Sequence, residues 1–398
     1  MRRTLLPRLM LAAASTAVSL GLLEGAARLA RRFAGGGKEQ RSRLQYVEHD
    51  PRLGWRKRPG ARVVFERRDY RVEVAINSQG LRDRERRYER PPDVLRLLAL
   101  GDSFVEGYSV PFEQSVTQVL ERRLRAPGCP VEVINGGTAG YSTDQEYLFY
   151  RDEGARYGAQ LVLLFFYFND VPYNTSTENA HVPKPRLSFR GGAPSVVNFP
   201  VPAAAPEPPP AREPPRIEGS AALDWVRGRL QRSAPRAHDA IAATGLWPPI
   251  RPLPPNPELR VYMRRPPVDV RHAWAMTGRI LSALAREVWG KGGRLLVVYV
   301  PSRMEVGGRD WQLTLLRHGL NERAWDQQAV IRQLTRVAQE VRVPVVDLTP
   351  ALRKADGPFL RAYHEHDNHW NTRGSRVAAE EIDRFLRSQA LVGCASAG

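Results

Sequence analysis

The run Leu161–Phe168, LVLLFFYF, is apolar or aromatic at every position, and it constrains the fold more than any other stretch of the chain. A strand with one face in water alternates polar and apolar residues. A strand with no polar face must be covered on both sides, as inside a parallel sheet. Val94–Leu100 (VLRLLAL) and Arg294–Val300 (RLLVVYV) repeat the pattern, and Val131–Asn135 and Val343–Leu348 are shorter versions of it. Helical periodicity falls between them, at Ser115–Arg125, Asp144–Tyr157, Val270–Trp289 and Ala329–Glu340, with Arg373–Leu386 closing the chain. In the third of these, Trp274, Leu281, Leu284 and Val288 share one stripe and Asp269 is the expected cap. The alternation predicts an α/β fold, a doubly wound parallel sheet with helices on both faces.

Open parallel sheets bind ligands outside the carboxyl ends of their strands. The residues just past those ends carry chemistry here. Gly101–Asp102–Ser103 follows the first strand, Asn135 to Gly140 the second, and Asn169–Asp170 the third; an Asp367-x-His369 lies after the last. A serine hydroxyl is a poor nucleophile unless a base takes its proton and an acceptor orients that base. Ser103, His369 and Asp367 are the residue types for these roles. The Ser103 N–H, the Gly140 N–H and the Asn169 amide supply three donors for an oxyanion. Glycine suits the second position because its backbone can approach a substrate closely. Taken singly, each residue also has a plain structural reading: Ser103 as a helix cap, Asn135 to Gly137 and Asn169–Asp170 as turns, His369 as a surface histidine. Their joint order along the chain favours the catalytic reading. Asp102 is assigned to the turn and kept out of the site.

Four blocks carry a family resemblance: GDSFVEGYSV (Gly101–Val110), VINGGTAGYST (Val133–Thr143), LLFFYFND ending at Asp170, and HEHDNHWNTRG (His364–Gly374). They resemble the SGNH, or GDSL, esterases and acyltransferases. The resemblance implies a flavodoxin-like three-layer sandwich, with Ser103 as nucleophile, His369 as base and Asp367 as its partner. It also implies Ser103, Gly140 and Asn169 at the oxyanion hole, with no cofactor. Two positions depart from the family pattern. Tyr167 stands where the third block usually begins with glycine, and the fourth block reads Asp-x-His followed by Trp370, as in a subgroup resembling bacterial polysaccharide O-acetyltransferases.

The chain carries a formal net charge of +18. Its lysines are Lys38, Lys57, Lys184, Lys291 and Lys354 alone, and every other basic residue is arginine, a bias that GC-rich codon usage explains. No nucleic-acid-binding signature accompanies the charge, so no nucleic-acid partner is expected, although the basic surface suits anionic lipid or acidic polysaccharide. His364, His366 and His369 also invite a zinc reading, with Asp367 as an oxygen ligand. No second ligand group of clear spacing supports it, and no metal is expected. Cys129 and Cys394 allow at most one disulfide, and neither has the context of a nucleophile. Trp311 and Trp370 are candidate sugar-stacking platforms.

Arg2, Arg3 and Arg8 precede an uncharged run from Leu9 to Leu23, the pattern of a signal anchor or a signal peptide. The uncleaved anchor is favoured, with the catalytic body outside the cytoplasmic membrane or, if the segment is cleaved, periplasmic or secreted. The expected organisation is an anchor at 1–34, an extension at 35–92, a catalytic domain at 93–390 with an insertion at about 174–268, and a frayed tail at 391–398. In the extension, Tyr70–Ile76 reads as a packing strand, and the insertion is Pro-rich around a short helix, Ala221–Arg232. The expected activity is removal of small acyl groups, acetyl above all, from a cell-envelope glycan or related substrate, a lipid remaining open. An O-acetyltransferase acting on polysaccharide and a catalytically weak polysaccharide-binding protein are the alternatives, and envelope-assembly partners are possible.

Overall fold

The computed structural model describes residues 19, 21–26, 46–125, 130–204, 221–244, 256–357 and 361–392. Most of the expected anchor, both cysteines and the proline cluster at 205–220 lie outside the described residues. No helix among the described residues is long and apolar enough to cross a membrane. Contacts divide the chain into two units, Met1–Lys38 with Pro206–Leu253, and Glu39–Ala205 with Pro254–Gly398. The first contains the helices Ala221–Ser233 and Pro235–Ala243.

The second unit is built on a five-stranded sheet. In chain order its strands are β5 (Leu95–Leu100), β6 (Val131–Asn135), β7 (Leu161–Phe166), β10 (Arg294–Tyr299) and β11 (Val345–Asp347); β1 to β4 precede it and β8 and β9 form a hairpin at Arg186–Arg190 and Ala193–Val197. All pairings in the sheet are parallel, in the order β6-β5-β7-β10-β11. This is the doubly wound order 2-1-3-4-5, whose switch point lies between the first and third strands, here β5 and β7. Period-two alternation sends Leu98, Leu100, Val162, Leu164 and Val297 into one core and Leu97, Ala99, Leu163, Phe165 and Val298 into the other. Both cores are apolar, which is why the strands carry no polar face.

Helices α3 (Thr143–Asp152), α5 (Val268–Gly290) and α7 (Ala329–Glu340) cover the first core. Helices α2 (Val116–Leu124), α8 (Thr349–Ala355) and α9 (Thr372–Ser388) cover the second. The expected cap of α5 needs correcting. The cap is Pro267, and Asp269 sits in the first turn, where its carboxylate pairs with Arg260 at 2.8 Å. The stretch after β10 folds into Arg303–Val306 and α6 (Gly308–His318).

The extension is more than a packing strand. β1 (Val47–Asp50) pairs with β2 (Gly54–Lys57), and β3 (Arg62–Glu66) with β4 (Arg71–Ala75), both antiparallel. The inward residues Val63, Phe65, Val72 and Val74 form a third core with Tyr46, Tyr108 and Ala139. Tyr108 and Ala139 belong to the loops after β5 and β6, so the extension packs on the carboxyl edge of the sheet.

Candidate active site

The backbone turns sharply after β5. A Cβ on Gly101 would fall 2.4 Å from Val105 Cγ2, so only glycine fits there. Asp102 then caps the short helix α1 (Ser103–Glu106) by accepting the Phe104 N–H at 2.9 Å, which is the structural role expected for it. Ser103 is the only residue from Gly101 to Val110 that is not buried. As the first residue of a helix, its N–H has no intrahelical acceptor.

The Ser103 hydroxyl lies 2.7 Å from His369 Nε2 and donates to it. That requires the His369 tautomer with its proton on Nδ1, and Nδ1 faces Asp367 Oδ1 in a close hydrogen bond. The His369 backbone N–H reaches the same oxygen at 3.0 Å. The second oxygen, Oδ2, accepts from the Tyr70 hydroxyl at 2.9 Å. Burial pushes the Asp367 carboxyl upward, but the His369 hydrogen bond and charge and the Tyr70 hydroxyl outweigh it, holding Asp367 well below the usual carboxylate range. The His369 ring is flanked by Phe104 and Tyr108, at centroid distances of 5.0 and 5.1 Å.

The neighbouring histidines do other work. His366 Nδ1 and its backbone N–H both meet Asp69, at 2.6 Å each, and His364 Nε2 meets the Ser109 carbonyl at 3.1 Å. Among the described residues, no group of three or more His, Cys, Asp or Glu is placed to hold a metal. Trp370 is 2% exposed and Trp311 7%, so neither offers a face to a sugar. Trp370 packs edge-on against Phe104, and Trp311 against Tyr262.

Gly140 takes φ of +79°, open to glycine at little strain, in the loop after β6. That loop is tied to the serine turn by the Thr138 N–H on the Gly101 carbonyl at 2.9 Å. Side chains from the extension, the insertion and α1 fix its orientation. Trp55 Nε1 donates to the Ala139 carbonyl at 3.0 Å, and Asn179 donates to the Gly140 carbonyl at 2.7 Å. Lys57 donates to the Gly137 carbonyl and to Thr138 Oγ1, and Glu106 accepts the Ala139 N–H at 2.7 Å. In a trans peptide the N–H points opposite the carbonyl, so the Trp55 contact turns the Gly140 N–H away from Trp55. Burial pushes the Lys57 ammonium down to about 8.

Asn169 ends the segment after β7, ahead of the short helix α4 (Asp170–Tyr173), and is partly exposed, while its Oδ1 is buried with no hydrogen-bond partner. The turn before it is closed by Asp170 Oδ2, which accepts the Tyr167 N–H at 2.9 Å. The Tyr167 ring packs on Phe104 at 4.9 Å. Beneath lies a set of buried acids. Burial pushes Asp102 up to about 6, and burial with mutual repulsion pushes Glu146 and Asp170 well above the ordinary carboxylate range. Behind them the buried pair Lys184–Asp144, at 2.6 Å, joins α3 to the β8–β9 segment.

Ser103, Asp367 and His369 are therefore brought together, and Gly140 and Asn169 stand on the adjoining loops of the same edge. Trp55, Lys57, Asp69 and Tyr70 are the residues that sequence reasoning missed. One signal was available: in a chain whose basic residues are nearly all arginine, Lys57 and Lys184 are exceptions, and both are buried.

Residues 99–377 match the family described as GDSL-like lipase/acylhydrolase. No curated protein matches the chain. Similar solved structures include the lipase/acylhydrolase from Enterococcus faecalis, 13% identical over 74% of this chain and 96% of that one, with a TM-score of 0.37. Another is the psychrotrophic esterase EstA from Pseudoalteromonas sp., 9% identical over 75% and 99%, with a TM-score of 0.36. A GDSL-like lipase from Bacteroides thetaiotaomicron is 12% identical over 74% and 89%, with a TM-score of 0.33.

Proposed function

This chain belongs to the GDSL-like lipase/acylhydrolase family and is an ester-cleaving serine hydrolase; on that premise we propose that it removes small acyl groups, acetyl above all, from a cell-envelope glycan through an acyl-enzyme on Ser103. The observation that carries the catalytic assignment is the 2.7 Å contact from Ser103 Oγ to His369 Nε2, with Asp367 on the far nitrogen. His369 takes the Ser103 proton as Oγ attacks the ester carbonyl carbon, and Asp367 stabilises the imidazolium that forms. The carbonyl oxygen becomes an oxyanion, held by the Ser103 N–H, the Gly140 N–H and the Asn169 amide. Collapse expels the alcohol, which receives the proton from His369. Water then attacks the acyl-enzyme with His369 as base, releasing the carboxylic acid and restoring Ser103.

Tyr167 supports a small acyl group. Its ring packs on Phe104, where the family pattern has a glycine, and fills space beside the serine turn. Trp370 after Asp-x-His favours a second reading, in which a sugar hydroxyl replaces water as acceptor and the enzyme is an O-acetyltransferase. We further propose that residues 1–34 hold the enzyme at the cytoplasmic membrane with its site outside, near envelope-assembly partners. p-Nitrophenyl ester turnover tests the catalytic reading. The acetate should be cleaved faster than the octanoate, and Ser103→Ala should abolish both. Turnover that survives in Ser103→Ala refutes it. Acyl transfer to an added oligosaccharide at the expense of hydrolysis would select the transferase.

A further inference from the structure

Away from Ser103, helices α5 and α7 flank a groove of about 1130 Å³. Its rims carry Arg264, Arg271, Arg279, Arg286, Arg332 and Arg336, and the acidic residue among its lining is Glu340. Some of this charge is answered locally. Arg264 and Arg332 both reach Asp326, Arg271 donates to the Pro266 carbonyl at 2.6 Å, and Arg286 donates to Ser282 at 3.0 Å. Arg279 and Arg336, one on each helix, are exposed and make no ion pair among the described residues.

The arginines follow the helix repeat. Arg271, Arg279 and Arg286 are eight and seven residues apart on α5, so their row runs about 22 Å along one face at 1.5 Å per residue. Arg332 and Arg336 are one turn apart on α7 and form the facing row. The helices meet closely at Gly278, where a Cβ would stand 3.2 Å from Val337 Cγ1. The floor is apolar, with Phe189, Met263 and Ala275 at least partly exposed and Val261, Trp274 and Val337 buried, and Gln333 adds a neutral polar group. The result is a long trough with cationic walls and a carbon-rich base.

We infer that this trough binds an acidic polysaccharide, a chain with regularly spaced carboxylates for the arginine rows and sugar-ring faces for the floor. Two rows of guanidinium groups attract a linear polyanion along its length. A gap between two touching helices is too narrow for a nucleic-acid duplex. Single-stranded nucleic acid is gripped by successive exposed aromatic rings, whereas this lining holds two, Trp274 buried and Phe189 only partly exposed. A bilayer surface cannot follow a trough, and membrane-lying helices present Trp, Phe and Leu to the lipid where this one presents arginine. The inference does not depend on which acceptor the Ser103 site uses.

Isothermal titration of the full chain with hexagalacturonate, at two salt concentrations, tests it. Binding should weaken with salt, and Arg279→Glu with Arg336→Glu should weaken it at least about tenfold. The paired Arg279→Lys and Arg336→Lys should keep most of it. Melting temperature and p-nitrophenyl acetate turnover should stay at the parent values, since neither arginine touches Ser103, His369 or Asp367. If the double reversal does not fold, Arg279→Gln alone should still give a measurable loss. The proposal is overturned if the reversals leave binding unchanged, or if a neutral hexaglucoside binds as well. It is equally overturned if oligodeoxythymidylate of matched charge binds more tightly, or if arginine-dependent binding is found with phosphatidylglycerol vesicles and not with hexagalacturonate.

Discussion

Tyr70→Phe isolates one hydrogen bond. The phenylalanine ring keeps the packing on His364, where the ring centroids are 4.7 Å apart, and removes only the donor to Asp367 Oδ2. A hydrogen bond to a charged group contributes about 1.5–3 kcal/mol, which sets a ceiling of roughly 10- to 150-fold in rate at about 1.4 kcal/mol per tenfold. The bond exists before and during reaction, so only its change between the two states enters the rate. A loss of about tenfold in kcat/KM is the expected result, well under that ceiling. The pH profile carries the more specific signature. Tyr70 holds Asp367 down; without it the carboxylate becomes more basic and holds the His369 imidazolium more firmly. The acidic limb of kcat/KM should therefore move to higher pH. The assay is p-nitrophenyl acetate hydrolysis from pH 5 to 9, with thermal melting as a control for folding. A variant with the parent's plateau and the parent's limb would refute the claim that the extension tunes the base.

Trp55→Phe removes the donor to the Ala139 carbonyl and frees the Gly140 peptide to rotate. The expected effect is a fall in kcat with KM little changed, bounded by the roughly 100- to 1000-fold associated with losing one oxyanion donor; steady-state kinetics checks it. Tyr167→Gly should raise p-nitrophenyl octanoate turnover relative to acetate, and an unchanged ratio would remove Tyr167 from acyl selection. Asp102→Asn keeps a good cap residue and deletes a buried charge. The folded Asp102 carboxyl is raised from 3.8 to about 6, so its contribution is fully present below pH 4 and is lost as pH rises through 6. The parent should therefore lose up to about 3 kcal/mol relative to the variant between pH 4 and pH 7, read from denaturant midpoints at each pH.

The sheet was legible because burial on both faces leaves no choice of residue type, and the apolar runs locate all five strands to within two residues. Two strand boundaries fall two residues inside the apolar runs, and each has a local cause. β7 stops at Phe166, and the next backbone N–H, of Tyr167, is taken by the Asp170 side chain. β11 starts late because the Val343 N–H closes the end of α7 on the Ala338 carbonyl. The residues grouped around Ser103 were readable because each follows a strand and such ends converge on one edge of a parallel sheet. Tyr70 was invisible to the same logic. It lies 297 residues from Asp367, on a hairpin whose alternation says only which face is buried. Periodicity reports the environment of a residue and never the identity of its partner. Lys57 shows what a better reading would use. Its burial lowers the ammonium to about 8, a penalty that the Gly137 carbonyl and Thr138 hydroxyl offset by accepting its protons. An ammonium is compact enough to enter such a pocket where a planar guanidinium is not. In a chain that otherwise uses arginine, the two buried lysines thus mark places where shape overrode composition, while Lys291 and Lys354 are exposed, and Lys57 marks the loop that carries Gly140.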